Sequence, residues 1–530
     1  MDFTALLSQA TVVVTLGCIA ATIYLRYFYV DFGRIGCIPE IPGGSSLAGH
    51  LYMLGGDHAS TAERWAIVNS WPIYQVRLGY RRAIILNSFD AAREWIVTKQ
   101  TSTIDRPWLY TFHGVVSKTS AATIGTNPWD ERTKKQRRVV GSYTTAPAMR
   151  RLEPMLDLET SQMICGLFED GKHGNEAISP HIYQKRLALN IILMFSYARR
   201  FSAIDDPLLL SILSDANTIS SFRSTNSNAQ DYIPYFRYFG EGKRTAEATE
   251  VRGRRDRWLA ELLEKARESM SLGKAKKCVA QGLLSDEEEA LTKQDIRTIL
   301  GGLMSGGFET IFATAIIGIG LLASPAGQAI QRSAFADINN SYKIPQEAFE
   351  HAVSEEKSAY VAAFVREVLR FYPPLHLLPP RQTYQEFDYN GSKIPKGVLV
   401  YMNAQAINHD TTKYGPDADQ FRPERWLKKD SDYEVPPPYH FSYGAGARMC
   451  TAVNFSNRIL YAIFLRLILS FEIVGSEDSP PETHYINYNR NTTAASAIPK
   501  DFRAKFVPRD VGILEECLRK SSETHVEFAG

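Results

Sequence analysis

The stretch Phe441-Ser-Tyr-Gly-Ala-Gly-Ala-Arg-Met-Cys450-Thr-Ala-Val-Asn454 decides how the rest of the chain is read. Phe441, Gly444 and Gly446 read as a turning, closely packed loop, in which glycine lets a flat group approach the backbone. Behind it Ala452, Val453, Phe455, Ile459, Leu460, Ile463, Phe464 and Leu467 recur at helical spacing. Cys450 therefore stands at the mouth of a helix, where backbone N–H groups and the dipole favour a thiolate. Arg448 adds a cation two residues before the sulfur. The set suits a sulfur ligand to a haem iron, with Arg448 for a haem propionate. The plain alternative is a buried structural cysteine in a glycine-rich turn.

Working outward, no break in composition divides the 530 residues, and 44% hydrophobic with 11% aromatic content supports a large core. A net charge of +2 gives no reason to expect nucleic acid. The six cysteines (18, 37, 165, 278, 450 and 517) are scattered without a C-x-x-C pair, which argues against a zinc cluster or a disulfide scaffold. Residues 3–25 carry no charge, and Tyr24, Tyr27, Phe28 and Tyr29 suit a membrane interface. A retained N-terminal transmembrane helix is expected over 1–30, rather than a cleaved signal peptide, since no basic segment precedes it. Arg26 and Arg34 then place the body on the cytoplasmic side. A proline and glycine hinge follows over 31–60, a main body over 61–510 and a polar tail over 511–530.

Most of that body is helical in period. Residues 73–87 alternate around Gly79 as a β-hairpin, and 387–389 and 398–402 are strand candidates. Residues 269–289 read as an exposed connection. Residues 295–322 read as one long helix carrying Gly301, Gly302, Gly306 and Gly307. Each interior glycine costs about 1 kcal/mol against alanine, so four of them need a reason. Small residues admit a ligand to the backbone, and Glu309 with Thr310 can hold water and pass protons. Glu367 and Arg370, three apart, share one helical face, and Pro373-Pro374 end that helix.

The pattern Phe-x-x-Gly-x-Gly-x-Arg-x-Cys-x-Ala resembles the haem-binding signature of the cytochrome P-450 family, with Ala452 where glycine is usual. The glycine helix resembles the family's oxygen-binding helix, with Glu309 and Thr310 at its acid–alcohol positions. Glu367-Val-Leu-Arg370 and Phe421-Arg-Pro-Glu-Arg425-Trp resemble its E-x-x-R and meander segments, which implies a buried structural network of Glu367, Arg370 and Arg425. By the same resemblance Arg381 and Trp129 contact haem propionates; the arginine usual four residues after this tryptophan is Thr133 here, with Arg132 or Lys134 as candidate substitutes.

The resemblance spans nearly the whole chain. It implies a mostly α fold with a small β region, haem b held by Cys450, and a monooxygenase facing the cytosol from the endoplasmic reticulum membrane. O2 and NADPH-derived electrons would serve it through a separate NADPH–cytochrome P-450 reductase, with cytochrome b5 as a second donor. An acidic reductase suits the basic surface beginning at Trp129. A P-450-like isomerase or dehydratase, or a non-catalytic haem protein, has less use for Glu309, Thr310 and the glycine helix. Within the family the motifs look most like fungal hydroxylases of small aromatic compounds, of the cresol, hydroxybenzyl alcohol or arylacetate kind. Fatty acids and sterols are the alternative substrates. Family position puts Trp108, Phe112, His113, Leu303, Met304, Leu375, His376 and Leu377 in the substrate pocket.

Overall fold

Strand β1 (Ile73–Leu78) turns through Gly79-Tyr80 into the antiparallel β2 (Arg81–Leu86), with Ile73 opposite Leu86. The β-branched residues of this hairpin lie buried, and the sheet grows from its second strand. β2 pairs in parallel with β6 (Leu399–Met402), and β6 pairs antiparallel with β3 (Arg381–Gln382), giving the order β1-β2-β6-β3. Two small hairpins, β4 (Phe387–Tyr389) with β5 (Ser392–Ile394) and β7 (Phe471–Gly475) with β8 (Ala504–Pro508), complete the β region. Helices make up most of the remainder. This computed structural model describes residues 3–27, 29–119, 123–225, 228–273, 276–285, 291–427 and 435–524.

The large apolar core gathers around the glycine helix and Val453–Ser470, the helix behind Cys450. A capping box starts the glycine helix: Thr292 accepts from the Asp295 N–H while the Asp295 carboxylate accepts from the Thr292 N–H. It is not the single uninterrupted helix that its length suggests. Lys293–Gly307 and Glu309–Ala323 meet at Phe308, whose φ of −86° and ψ of −63° depart from the regular ladder. Paired glycines precede that residue, and the Thr310 hydroxyl donates to the Gly306 carbonyl at 3.0 Å, a local bond that competes with the helix.

Two further expectations change. Within 269–289 the helix Lys243–Ser271 runs further than read, and Val279–Ser285 forms a helix with Val279, Ala280 and Leu283 buried, so this stretch is not simply exposed. Residues 286–290 lie outside those described. The polar tail holds the helix Val511–Thr524, docked through Leu514 and Cys517; residues 525–530 lie outside those described.

At the other end Phe3–Tyr27 is a 25-residue helix. Its described apolar run is shorter, Thr11–Tyr24, and exposes Val12, Val13, Val14, Leu16, Ile19 and Ile23. Among the described residues the helical stretch long and apolar enough to cross a membrane is Lys293–Ala323, the two helices that meet at Phe308, and it is mostly buried in the core.

Candidate haem and substrate site

The loop before Cys450 is set by its glycines. Gly446 has φ +61°, and a Cβ there would stand 2.3 Å from the Ile96 carbonyl, so no larger residue fits. Gly444, at φ +67°, has open space where its Cβ would point. Phe441 is fully buried against the Phe89 ring. Its N–H donates to the Asn408 side chain at 2.9 Å, and Ser442 bonds the same amide at 3.1 Å.

Cys450 donates its N–H to the Tyr443 carbonyl at 3.0 Å, and the Ala452 N–H reaches its sulfur at 3.4 Å. The helix begins only at Val453. Burial pushes the Cys450 thiol up, against the lowering influence of the Ala452 N–H and Arg137. Although deep in the protein, the cysteine is exposed to a cavity of about 260 Å³.

Besides Arg223, four arginines line the same cavity: Arg106, Arg137, Arg381 and Arg448. Arg381 pairs in the sheet with Val400 and donates to the Ala445 carbonyl at 2.7 Å. Arg448 donates to the Asn127 carbonyl at 2.7 Å, with its guanidinium 5.3 Å from the centre of the Trp129 ring. Arg106 binds the carbonyls of Pro379 and Pro380. Arg137 donates to the Met449 carbonyl at 2.8 Å. Burial first, and then mutual repulsion, lowers Arg381 and Arg448 to about 9 and Arg106 well below the usual range. Buried nitrogens of Arg106, Arg381 and Arg448 have no hydrogen-bond partner among the described residues. Such a cluster calls for an anion.

These residues fit a haem: a sulfur facing the cavity, unsatisfied guanidinium donors for two propionates, and open space at Gly306 and Gly444 for a flat macrocycle. Cys450 would supply the sulfur to the iron, and Arg106, Arg381 and Arg448 would pair with the propionates. Neither suggested substitute for the arginine after Trp129 lies there. Arg132 pairs with Asp295 at 2.5 Å, and Lys134 with Glu131 at 2.5 Å on the surface. Thr133 instead closes the helix start, donating to the Pro128 carbonyl at 2.9 Å. Sequence reasoning missed Arg137, which recurs one helical turn after Thr133. It also missed Arg106, which no motif marks.

Beneath the loop, Glu367 and Arg370 are fully buried and doubly bonded, at 2.7 and 2.9 Å. Arg425 lies 3.5 Å from Glu367, and the Trp426 indole donates to it at 2.8 Å. The three members of the expected network are therefore together.

Thr310 faces the Cys450 cavity, whereas Glu309 lines an adjoining pocket with Phe112 and Met304. Glu309 pairs with Arg223 at 3.1 Å and accepts from Ser496 at 3.0 Å. Burial raises its carboxyl, and Arg223 opposes that. Of the remaining pocket candidates, Leu303 and Leu375 line the main cavity. Leu377 and His376 line another pocket, where His376 bonds the Tyr488 hydroxyl at 3.0 Å. His113 accepts from the Leu109 N–H at 3.0 Å and bonds the Thr126 carbonyl at 3.1 Å. Both histidines are held below their ordinary value, chiefly by burial, and are occupied within the protein. Trp108 is 52% exposed and stacks on His113, outside the main cavity.

The model of the family described as Cytochrome P450 matches residues 40–495. Phenylacetate 2-hydroxylase of Emericella nidulans is 37% identical over 517 residues, covering 96% of this chain and 98% of that protein. The 3-hydroxyphenylacetate 6-hydroxylase of the same organism is 34% identical, covering 90% of each chain. Cytochrome P450 monooxygenase CYP3 of Mycosarcoma maydis is 30% identical over 95% of this chain and 93% of its own. With a cysteine loop, an arginine cradle and a glycine-opened helix around one cavity, this chain belongs to the cytochrome P450 family and is a monooxygenase.

Proposed function

We propose that this enzyme hydroxylates a small aromatic compound of the arylacetate or cresol kind, using O2 and electrons from NADPH delivered by a separate reductase. Two relatives that align along almost the whole chain are named for phenylacetate-type substrates. The observation that carries the reading is the cavity itself. Ile192, Phe195, Leu303, Ile311, Leu375 and Leu378 give it apolar walls, and Thr310 and Arg223 are among its polar groups.

Haem, when bound, supplies the activation of O2. The protein would hold it through Cys450 and the arginine cradle. The Thr310 hydroxyl, at the cavity face, holds a proton at Oγ1 next to the Gly306 carbonyl. Glu309, one residue away, lines the adjoining pocket and pairs there with Arg223. The helix Glu131–Tyr143 exposes Arg132, Lys134 and Arg138 near the Cys450 loop, a surface suited to an acidic electron donor such as the reductase or cytochrome b5. The exposed apolar face of Thr11–Tyr24 supports anchoring to the endoplasmic reticulum membrane.

The deciding experiment is a substrate-induced spectral titration of the haem protein, followed by product analysis with NADPH and reductase. Phenylacetate, m-cresol or hydroxybenzyl alcohol should shift the spectrum and be hydroxylated. A response to laurate or a sterol alone would replace this reading with a lipid hydroxylase.

A further inference from the structure

Arg223 follows the helix Pro207–Ser221, and its side chain stands where four cavities meet. One of these contains Cys450, and another contains Glu309, Phe112 and Met304. Its contacts are few for a guanidinium in such a place: Glu309 at 3.1 Å and the Ser305 carbonyl at 3.3 Å. A charge-assisted pair usually closes to about 2.7–2.9 Å and often in two places. Here Arg223 Nε and Glu309 Oε1 are both buried with no partner among the described residues. The fork therefore has a donor to spare, and the carboxylate an unused acceptor.

The other cations around these cavities are committed elsewhere. Arg106, Arg137, Arg381 and Arg448 belong to the cradle beside the cysteine loop, and Arg255 is held by Asp256 at 2.7 Å. Ser220 and Ser496, 3.1 Å apart, add two hydroxyls beside Glu309 that can turn toward either of two carboxylates.

We propose that Arg223 is the specificity-determining anchor for the carboxylate of an arylacetate substrate, which shares the guanidinium with Glu309. The inference rests on the aromatic reading above and deepens it. The ring would lie in the apolar cavity toward Cys450, with the acid group at its Arg223 corner.

Two carboxylates on one buried cation cannot both stay ionised, so binding places a proton on Glu309. The groups facing that pair from the packed elements are Ser220, Ser496 and Arg255, with His58, His113, His376 and Asp57 around the outer side of Arg223. Burial keeps the three histidines below their ordinary value, and Asp57 is occupied in capping its helix at Ser60.

The test compares phenylacetate with its neutral counterpart phenylacetamide, by spectral titration and calorimetry on the full-length haem protein. Arg223→Gln should weaken phenylacetate roughly tenfold to a hundredfold, as losing a charged hydrogen bond does, and leave phenylacetamide within about twofold. Arg223→Lys should recover part of the loss. In the wild type, phenylacetate binding should weaken as pH rises, by up to about tenfold per unit for one proton taken up. Glu309→Gln should abolish that slope. Equal affinity for phenylacetate in wild type and Arg223→Gln, or equal loss of both ligands, would overturn the anchor alone. A wild type that answers to neither aromatic ligand but to laurate would overturn the aromatic reading itself.

Discussion

The Arg370 guanidinium donates to the Asn408 carbonyl at 2.9 Å, and the Asn408 side chain in turn receives the Phe441 N–H at 2.9 Å. One residue thus joins the buried Glu367–Arg370 pair to the loop that aims Cys450. Replacing Glu367 by Gln leaves Arg370 buried without its counter-charge, while Arg425 keeps Asp417 at 3.1 Å; losing the buried partner costs about 3–5 kcal/mol. The expected outcome is a lower thermal midpoint and loss of haem on purification. Haem content and unfolding curves equal to the wild type would contradict the network's role.

Cys450 is the expected iron ligand. Reduced protein with carbon monoxide should show the red-shifted Soret band of sulfur ligation, and Cys450→His should lose it. An imidazole-type band in the wild type would refute the assignment.

Thr310→Ala should retain haem and substrate binding but convert more NADPH to peroxide and less to product, because the hydroxyl at the cavity face is gone. Peroxide and product measured per NADPH consumed decide this, and an unchanged ratio would remove Thr310 from proton handling.

His58 bonds the Thr225 hydroxyl at 2.7 Å, and burial lowers it from 6.5 to about 4. The folded protein refuses a proton that the unfolded chain accepts, so this group costs stability as pH falls from 6.5 towards 4 and nothing further below. At pH 5 the penalty is about 2 kcal/mol. His58→Gln should therefore lose less stability than the wild type between pH 7.5 and pH 5, by about that amount in urea unfolding. Parallel losses in the two proteins would show that His58 takes no part.

A chain beginning at Pro39 should lose most membrane association and still bind haem. Flotation with liposomes measures the first and the absorption spectrum the second. An intact chain that stays out of the liposome fraction would contradict the anchor.

Local pattern made much of this molecule legible. The 73–87 hairpin, the helix behind Cys450 and the E-x-x-R pair follow from period and spacing, because each is built by near neighbours. The glycines of the oxygen-type helix marked a ligand-facing wall, and its kink at Phe308 escaped notice because apolar periodicity continues through it. The chain by itself therefore determined the family, the helical class and the cysteine, since these reside in short fixed intervals. Tertiary structure alone decided where the remaining charges go. It added Arg106 and Arg137 to the cavity that Arg381 and Arg448 line, turned His113 and His376 to partners within the protein, and set Arg223 against Glu309 across 86 residues of chain. Between distant segments charge pairing and burial act through space, and no spacing along the sequence records them.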